Sequence, residues 1–167
     1  MRNKLINFIV FQLIWFLSIC GAAAERELIS VSLCLFFLAI NLFISKNLRA
    51  DLALIAQGVV LGIFIDTFLI HLNIISFKSQ YWGLISPLWM WVIWAALFST
   101  VNSSMSWLKP RWAMAAVLGA IFAPLSYWAG VRMGAGVFND LYIALATIGL
   151  IWLLITPLMM RMAARTN

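Results

Sequence analysis

Apolar residues fill six long runs, each bounded by short polar stretches, over residues 5–24, 28–45, 52–75, 82–108, 112–135 and 141–160. Each is close to the roughly 20 residues that a helix needs to cross a bilayer. The polar breaks are Glu25-Arg26-Glu27, Lys46 through Asp51, and comparably short segments after the third, fourth and fifth runs. Connections this short predict antiparallel neighbouring helices. Pro87 is expected to kink the fourth span, and Pro124 and Pro157 fall inside the fifth and sixth. The pattern shows no low-complexity segment, no linker and no convincing internal repeat. It predicts a single all-α domain over residues 1–167, an integral membrane bundle of six transmembrane helices.

One run differs from the others. Gln57 to Asn73 carries Asp66 and His71, the only acid and the only histidine within an apolar run. At 3.6 residues per turn, Gly58, Gly62 and Asp66 share a face, and Asn73 returns to it seven residues later. Two glycines on that stripe let a neighbouring helix approach closely, and Gly130 and Gly134 repeat the spacing in the fifth run. An acid at this depth costs about 2.5–3.5 kcal/mol on insertion scales, so Asp66 is the foremost candidate for function.

Composition agrees with the pattern. Of 167 residues, 65% are hydrophobic and 10% charged, whereas a soluble domain carries roughly 25% charged residues. So few charges cannot cover a water-facing surface. The net charge of +6 is not a nucleic-acid signal, because the basic residues flank the apolar runs. One side collects Arg2, Lys4, Lys46, Arg49, Lys109, Arg111, Arg161 and Arg165, the other Arg26, Lys78 and Arg132. That bias places both termini in the cytoplasm. Trp82, Trp107, Trp112 and Trp128 suit an interfacial belt, while Trp89, Trp91 and Trp94 lie deeper and read as packing or lipid-facing residues. The first run, ending in Ala22-Ala23-Ala24, has some features of a cleavable leader. Its length and its interruption by Asn7 and Gln12 favour a retained helix.

Sorted by depth, the polar residues form two layers. The inner layer holds Asn7, Asn41, Gln57, Asn102, Ser103 and Ser104, a set suited to bonding between helices. The outer layer holds Asp66, His71, Asn73, Tyr127 and Arg132, with Asn139 and Asp140 at the mouth. Arg132 is long enough to reach toward Asp66, and Tyr127 lies one turn below it. No catalytic constellation, phosphate loop or metal-ligand spacing is present, and Cys20 and Cys34 read as buried small hydrophobes. The site therefore implies no cofactor and no metal.

Several segments resemble a family of small polytopic bacterial inner-membrane proteins, a domain of unknown function. They are Asn7-Phe8, Phe11-Gln12, Trp15, Gly62 through Asp66, Pro87-Leu88-Trp89, Thr100 to Asn102, Ser104, Trp107 and, most specifically, Pro124 through Gly130, PLSYWAG. The resemblance spans nearly the whole chain and implies a proteobacterial-type inner membrane. It implies no activity, substrate or catalytic residue. Three functions stay open: a non-catalytic component that binds or passes a lipid or other apolar molecule, or serves a membrane protein partner or homo-oligomer; a small proton-coupled transporter using Asp66; and an intramembrane enzyme acting on lipid.

Overall fold

The computed structural model of the protein describes residues 2–43, 45, 47–81 and 83–165. Lys46, Trp82 and the side chain of Arg2, assigned above to the basic side and the belt, lie outside the described residues. Six helices form an all-α bundle: α1 (Arg2–Ala23), α2 (Glu27–Phe43), α3 (Leu48–His71), α4 (Leu88–Val101), α5 (Trp112–Arg132) and α6 (Leu141–Arg165). α1, α3, α5 and α6 are long and apolar enough to cross a membrane, and α2 and α4 are shorter. Large apolar side chains stay exposed along the helices, among them Phe16, Phe36, Phe64, Phe122 and Leu154. An aqueous protein would bury this surface; lipid covers it at no cost.

The fourth span is not one long helix. α4 has 14 residues, roughly 21 Å at the helical rise and short of the hydrocarbon thickness. Pro87 starts it rather than kinking it, because an imide without an N–H is tolerated at a helix start and forces the preceding residue out of the helical region. No side chain of α4 caps that start. Glu27 does so from α2, its Oε1 accepting the Trp89 N–H at 3.2 Å. Glu27 is only 2% exposed, so it is a buried capping acid and not a loop charge.

α3 and α5 also end before their apolar runs do. Asn73 (φ 53°) and Gly134 (φ 90°) take left-handed backbone, the geometry that closes a helix just past its last residue. Neither therefore lies on a helix face, and the expected continuation of the α3 stripe to Asn73 and of the α5 stripe to Gly134 fails. Each turn leads into a short strand, β1 (Ile75–Phe77) and β2 (Gly136–Phe138). The strands pair antiparallel, Ile75 with Phe138, Ser76 with Val137 and Phe77 with Gly136.

This ribbon exposes a repeat that the sequence conceals. Positions 61 residues apart are equivalent throughout α3–β1 and α5–β2. The Ile74 N–H donates to Leu69 O and the Ala135 N–H to Gly130 O, each at 3.0 Å. Across the strands, the Lys78 N–H donates to Ala135 O and the Asn139 N–H to Ile74 O. Phe98 of α4 covers Gly58 of α3, as Thr156 of α6 covers Gly119 of α5. The units α3–β1–α4 and α5–β2–α6 are thus related by an approximate two-fold axis through the Ser76–Val137 pair. Because α3 and α5 run the same way, the axis lies along the bundle. The α1–α2 hairpin packs mainly on α4. The ribbon marks one end of the bundle, the strand end; α1 begins and α6 stops at the other, the termini end.

Candidate functional site

Gly58 and Gly62 carry no side chain, and the rings of Phe98 and Trp94 occupy that space. Any Cβ at either position would overlap those rings. This close approach of α4 delivers the Trp94 indole to Asp66 one turn further along α3. The Trp94 Nε1–H donates to Asp66 Oδ2 at 2.7 Å, and the Tyr127 hydroxyl of α5 donates to Asp66 Oδ1 at 2.5 Å. Asp66 is 0% exposed. Asp66 and Tyr127 are equivalent positions of the two units, so their bond lies on the axis. Trp94 and Trp152 meet beside it, stacked with centroids 5.0 Å apart and planes at 19°.

The other outer-layer residues are elsewhere. Arg132 is exposed and does not pair with Asp66; among the described residues the one ion pair is Lys78–Glu25, at 3.6 Å. α5 stops at Arg132, and its side chain turns to the surface where a guanidinium can be hydrated. His71 is exposed, its Nδ1 at 2.8 Å from Thr67 O. Asn73 is exposed as well. With α3 ending at His71, Asp66 lies five residues from its end, roughly 7 Å deep instead of the roughly 13 Å expected from a longer span. Trp94, expected to pack or to face lipid, is a direct partner of the acid.

The inner layer divides in two. Asn7 donates to Asn41 Oδ1 at 3.1 Å and to Ser99 O at 3.2 Å, and accepts from Ser104 Oγ at 2.6 Å. Asn41 donates to Ser99 Oγ at 3.0 Å. This network ties α1 and α2 to α4. Asn102 donates to Asp51 Oδ1 at 2.7 Å and accepts from Lys109 Nζ at 2.6 Å. Burial pulls the Lys109 ammonium below the usual lysine value, and the nearby Asp51 carboxylate partly offsets this. Gln57 is exposed on the outer side of α3 and belongs to neither group. Gly130 packs beside Ile19 of α1, and Gly134 in its turn faces Ala23.

Those two contacts bring α1 and α5 together near the strand end, where the Trp15 Nε1–H also donates to Ser126 Oγ at 2.8 Å. From beneath the strand ribbon toward the termini end, a cavity of about 720 Å³ runs between α1 and α5. α4 and α6 form its floor through Ile93, Trp94, Leu97, Trp152 and Met159, and Phe11, Leu118 and Phe122 stand at its sides. Its polar contacts are few: Gln12, Ser104, Ser126, Tyr127, Thr156 and indole N–H groups, with no charged side chain among the described residues of the lining. Phe8, Phe122 and Leu125 at its rim are exposed, so it opens on an apolar face. Asp66 stands one residue behind the wall, holding Tyr127 and Trp94 in place.

This volume falls within the roughly 300–1,000 Å³ of small-molecule pockets, and the mainly apolar lining with a few convergent polar groups is their usual make-up. Among the described residues no group of His, Cys, Asp or Glu is arranged to hold a metal, and Cys20 and Cys34 are free thiols. Sequence reasoning missed the cavity, Glu27 and Trp94. The one available signal was Pro87, which leaves the start of α4 in need of a foreign acceptor.

No curated protein and no solved structure matches the chain. A family model does match, over residues 4–158 and therefore nearly the whole bundle just described, and the chain belongs to that family, described as "Protein of unknown function (DUF2878)".

Proposed function

We propose that this protein is a non-catalytic, multi-pass component of a bacterial inner membrane, with both termini cytoplasmic, that binds a lipid or another apolar molecule between α1 and α5. The observation that carries this reading is the 720 Å³ cavity, apolar in its lining and open on a lipid-facing side. The buried Asp66–Tyr127–Trp94 network acts as the rigid wall against which the ligand packs.

A second reading is favoured by one observation. Parallel repeats about an axis along the membrane normal occur in transporters, with the binding site at the repeat interface, and Asp66 lies on such an axis here. The uncharged cavity speaks for binding of an apolar ligand over ion coupling. For an enzyme acting on lipid, the one lining hydroxyl beside a carboxylate among the described residues is that of Tyr127, which donates to Asp66. Ser104, Ser126 and Thr156 partner Asn7, Trp15 and the Trp152 carbonyl, none of them a base.

Purified protein labelled with a diazirine-bearing acyl chain tests the binding reading. Cross-links are expected on the cavity-facing residues of α1 and α5, and Leu118→Trp, which fills the cavity, should cut them severalfold while sparing labelling at Phe36. Labelling spread evenly over all exposed faces and unchanged by Leu118→Trp would refute it. The orientation is checked separately. Reporter fusions should be cytoplasmic at Asn167 and periplasmic near Lys78, and a periplasmic C-terminus would reverse the assignment.

A further inference from the structure

We infer that the ligand of this cavity is an amphiphile with an anionic phosphate or carboxylate head, seated at the termini end against Lys4 and Arg111 with its chain running toward Tyr127. This rests on the binding reading above and adds the ligand's charge and direction. The cavity is elongated: its lining extends from Ser104–Leu108 at the termini end to Phe77 and Ala135 at the strand end. Along α5 it covers residues 118–131, roughly 20 Å at the helical rise. With no charged side chain among the described residues of that lining, an ionic head inside would be buried without a counter-charge, which is costly. The head must stay at a mouth.

The two ends differ, the strand-end lining residues Ile75, Phe77 and Ala135 being buried. At the termini end, Trp107 lines the cavity and is 47% exposed. Lys4 Nζ donates to Ser106 Oγ at 2.9 Å. Arg111 donates to Trp107 O at 2.6 Å, its guanidinium carbon 5.9 Å from the centre of the Trp107 ring. Both cations are exposed, and the hydrogen bonds they make here are to neutral acceptors. Ammonium and guanidinium groups have three and five N–H donors, so capacity remains for an anion. Neither forms an ion pair among the described residues. At the strand end Lys78 is already paired with Glu25. Arg26 and Arg132, though exposed, make no bond among the described residues to a side chain lining the cavity, whereas Arg111 is held on Trp107. Charge complementarity therefore orients the ligand, head at Lys4 and Arg111, tail beneath the strand ribbon.

The test uses the full-length protein in neutral detergent with two chain-matched pairs: diazirine-bearing palmitic acid against its methyl ester, and diazirine-bearing palmitoyl lysophosphatidate against the monoacylglycerol. Each anion should label the cavity roughly thirtyfold more strongly than its neutral partner, as expected for two cations each contributing as they do near a membrane surface. A diazirine at the chain terminus should mark strand-end lining residues, and one near the head should mark Trp107. The double substitution Lys4→Gln with Arg111→Gln should equalise each pair at unchanged Tm. Lys4→Arg should preserve the preference, as should Arg26→Gln with Lys78→Gln. A preference seen with only one pair identifies the head as phosphate or as carboxylate. Equal labelling by acid and ester, and by phosphate and glycerol, overturns the inference while leaving the cavity as a lipid site. A preference that survives the double substitution overturns the role given to these cations. Absence of cavity labelling by all four probes removes the binding reading itself.

Discussion

Asp66→Leu is expected to destabilise the protein in detergent by about 2–6 kcal/mol, since each buried donor left without an acceptor costs about 1–3 kcal/mol. The two donors are the Trp94 indole N–H and the Tyr127 hydroxyl, both held by a carboxyl with no exposure. Asp66→Asn is expected to behave differently. Its amide oxygen accepts from Trp94 while its NH₂ donates to the Tyr127 oxygen, a hydroxyl being able to accept as well as donate. Its stability should stay within about 1 kcal/mol of wild type, the size of one typical hydrogen-bond contribution. Thermal unfolding followed by Trp fluorescence measures both. A leucine variant as stable as wild type would show that the network contributes nothing. An asparagine variant that folds but loses the cellular phenotype would favour the transporter reading, in which the charge itself is used.

Gly62→Leu should be as damaging, for a steric reason. The Trp94 ring occupies the space a side chain would need, and overpacking a close-packed helix contact costs about 1–3 kcal/mol and sometimes more. Here the displaced ring is also a partner of Asp66, so a packing loss and a hydrogen-bond loss arrive together. Gly62→Leu is expected to elute as aggregate on size exclusion. Val60→Leu, at an exposed position on the same helix, should elute as wild type. A monodisperse Gly62→Leu protein with unchanged Tm would contradict the packing described.

How much of this was legible in the sequence depends on how local each cause is. The helices were, because each apolar run is itself the cause of a membrane helix. The inward face of α3 was too, because Gly58, Gly62 and Asp66 fall on one side of a single helix. Depth alone sets Tyr127 in the layer of Asp66, but it does not single out Trp94, since depth says nothing about which helix packs on a glycine. Reach alone sets Arg132 near Asp66, but α5 ends at Arg132, closed by the turn at Gly134, and the side chain lies at the surface. Hydropathy makes the fourth span too long because it cannot see Pro87 starting a helix. Three-residue strands such as Ile75–Phe77 are too short to show a period of two. The repeat is hidden because Gly58/Gly119 and Phe77/Phe138 are the only identities between residues 51–77 and the positions 61 further on. The rest of the likeness is in backbone and burial.

The two-fold relation between these units also bears on how a single acid comes to occupy the centre of the molecule. Two identical copies of the α3–β1–α4 unit, paired through the same ribbon, would set Asp66 against a second Asp66. Two carboxylates at that distance cannot both be ionised, and one would have to keep its proton. Two units in one chain need not be identical, and here one half holds the acid while the other supplies a phenol that donates to it. The same freedom applies outside the axis, where the α1–α2 hairpin packs mainly on α4 and forms a cleft with α5. A symmetric dimer would be obliged to build its cleft twice. A chain with two unlike units builds one cleft, with one wall held by one carboxyl group.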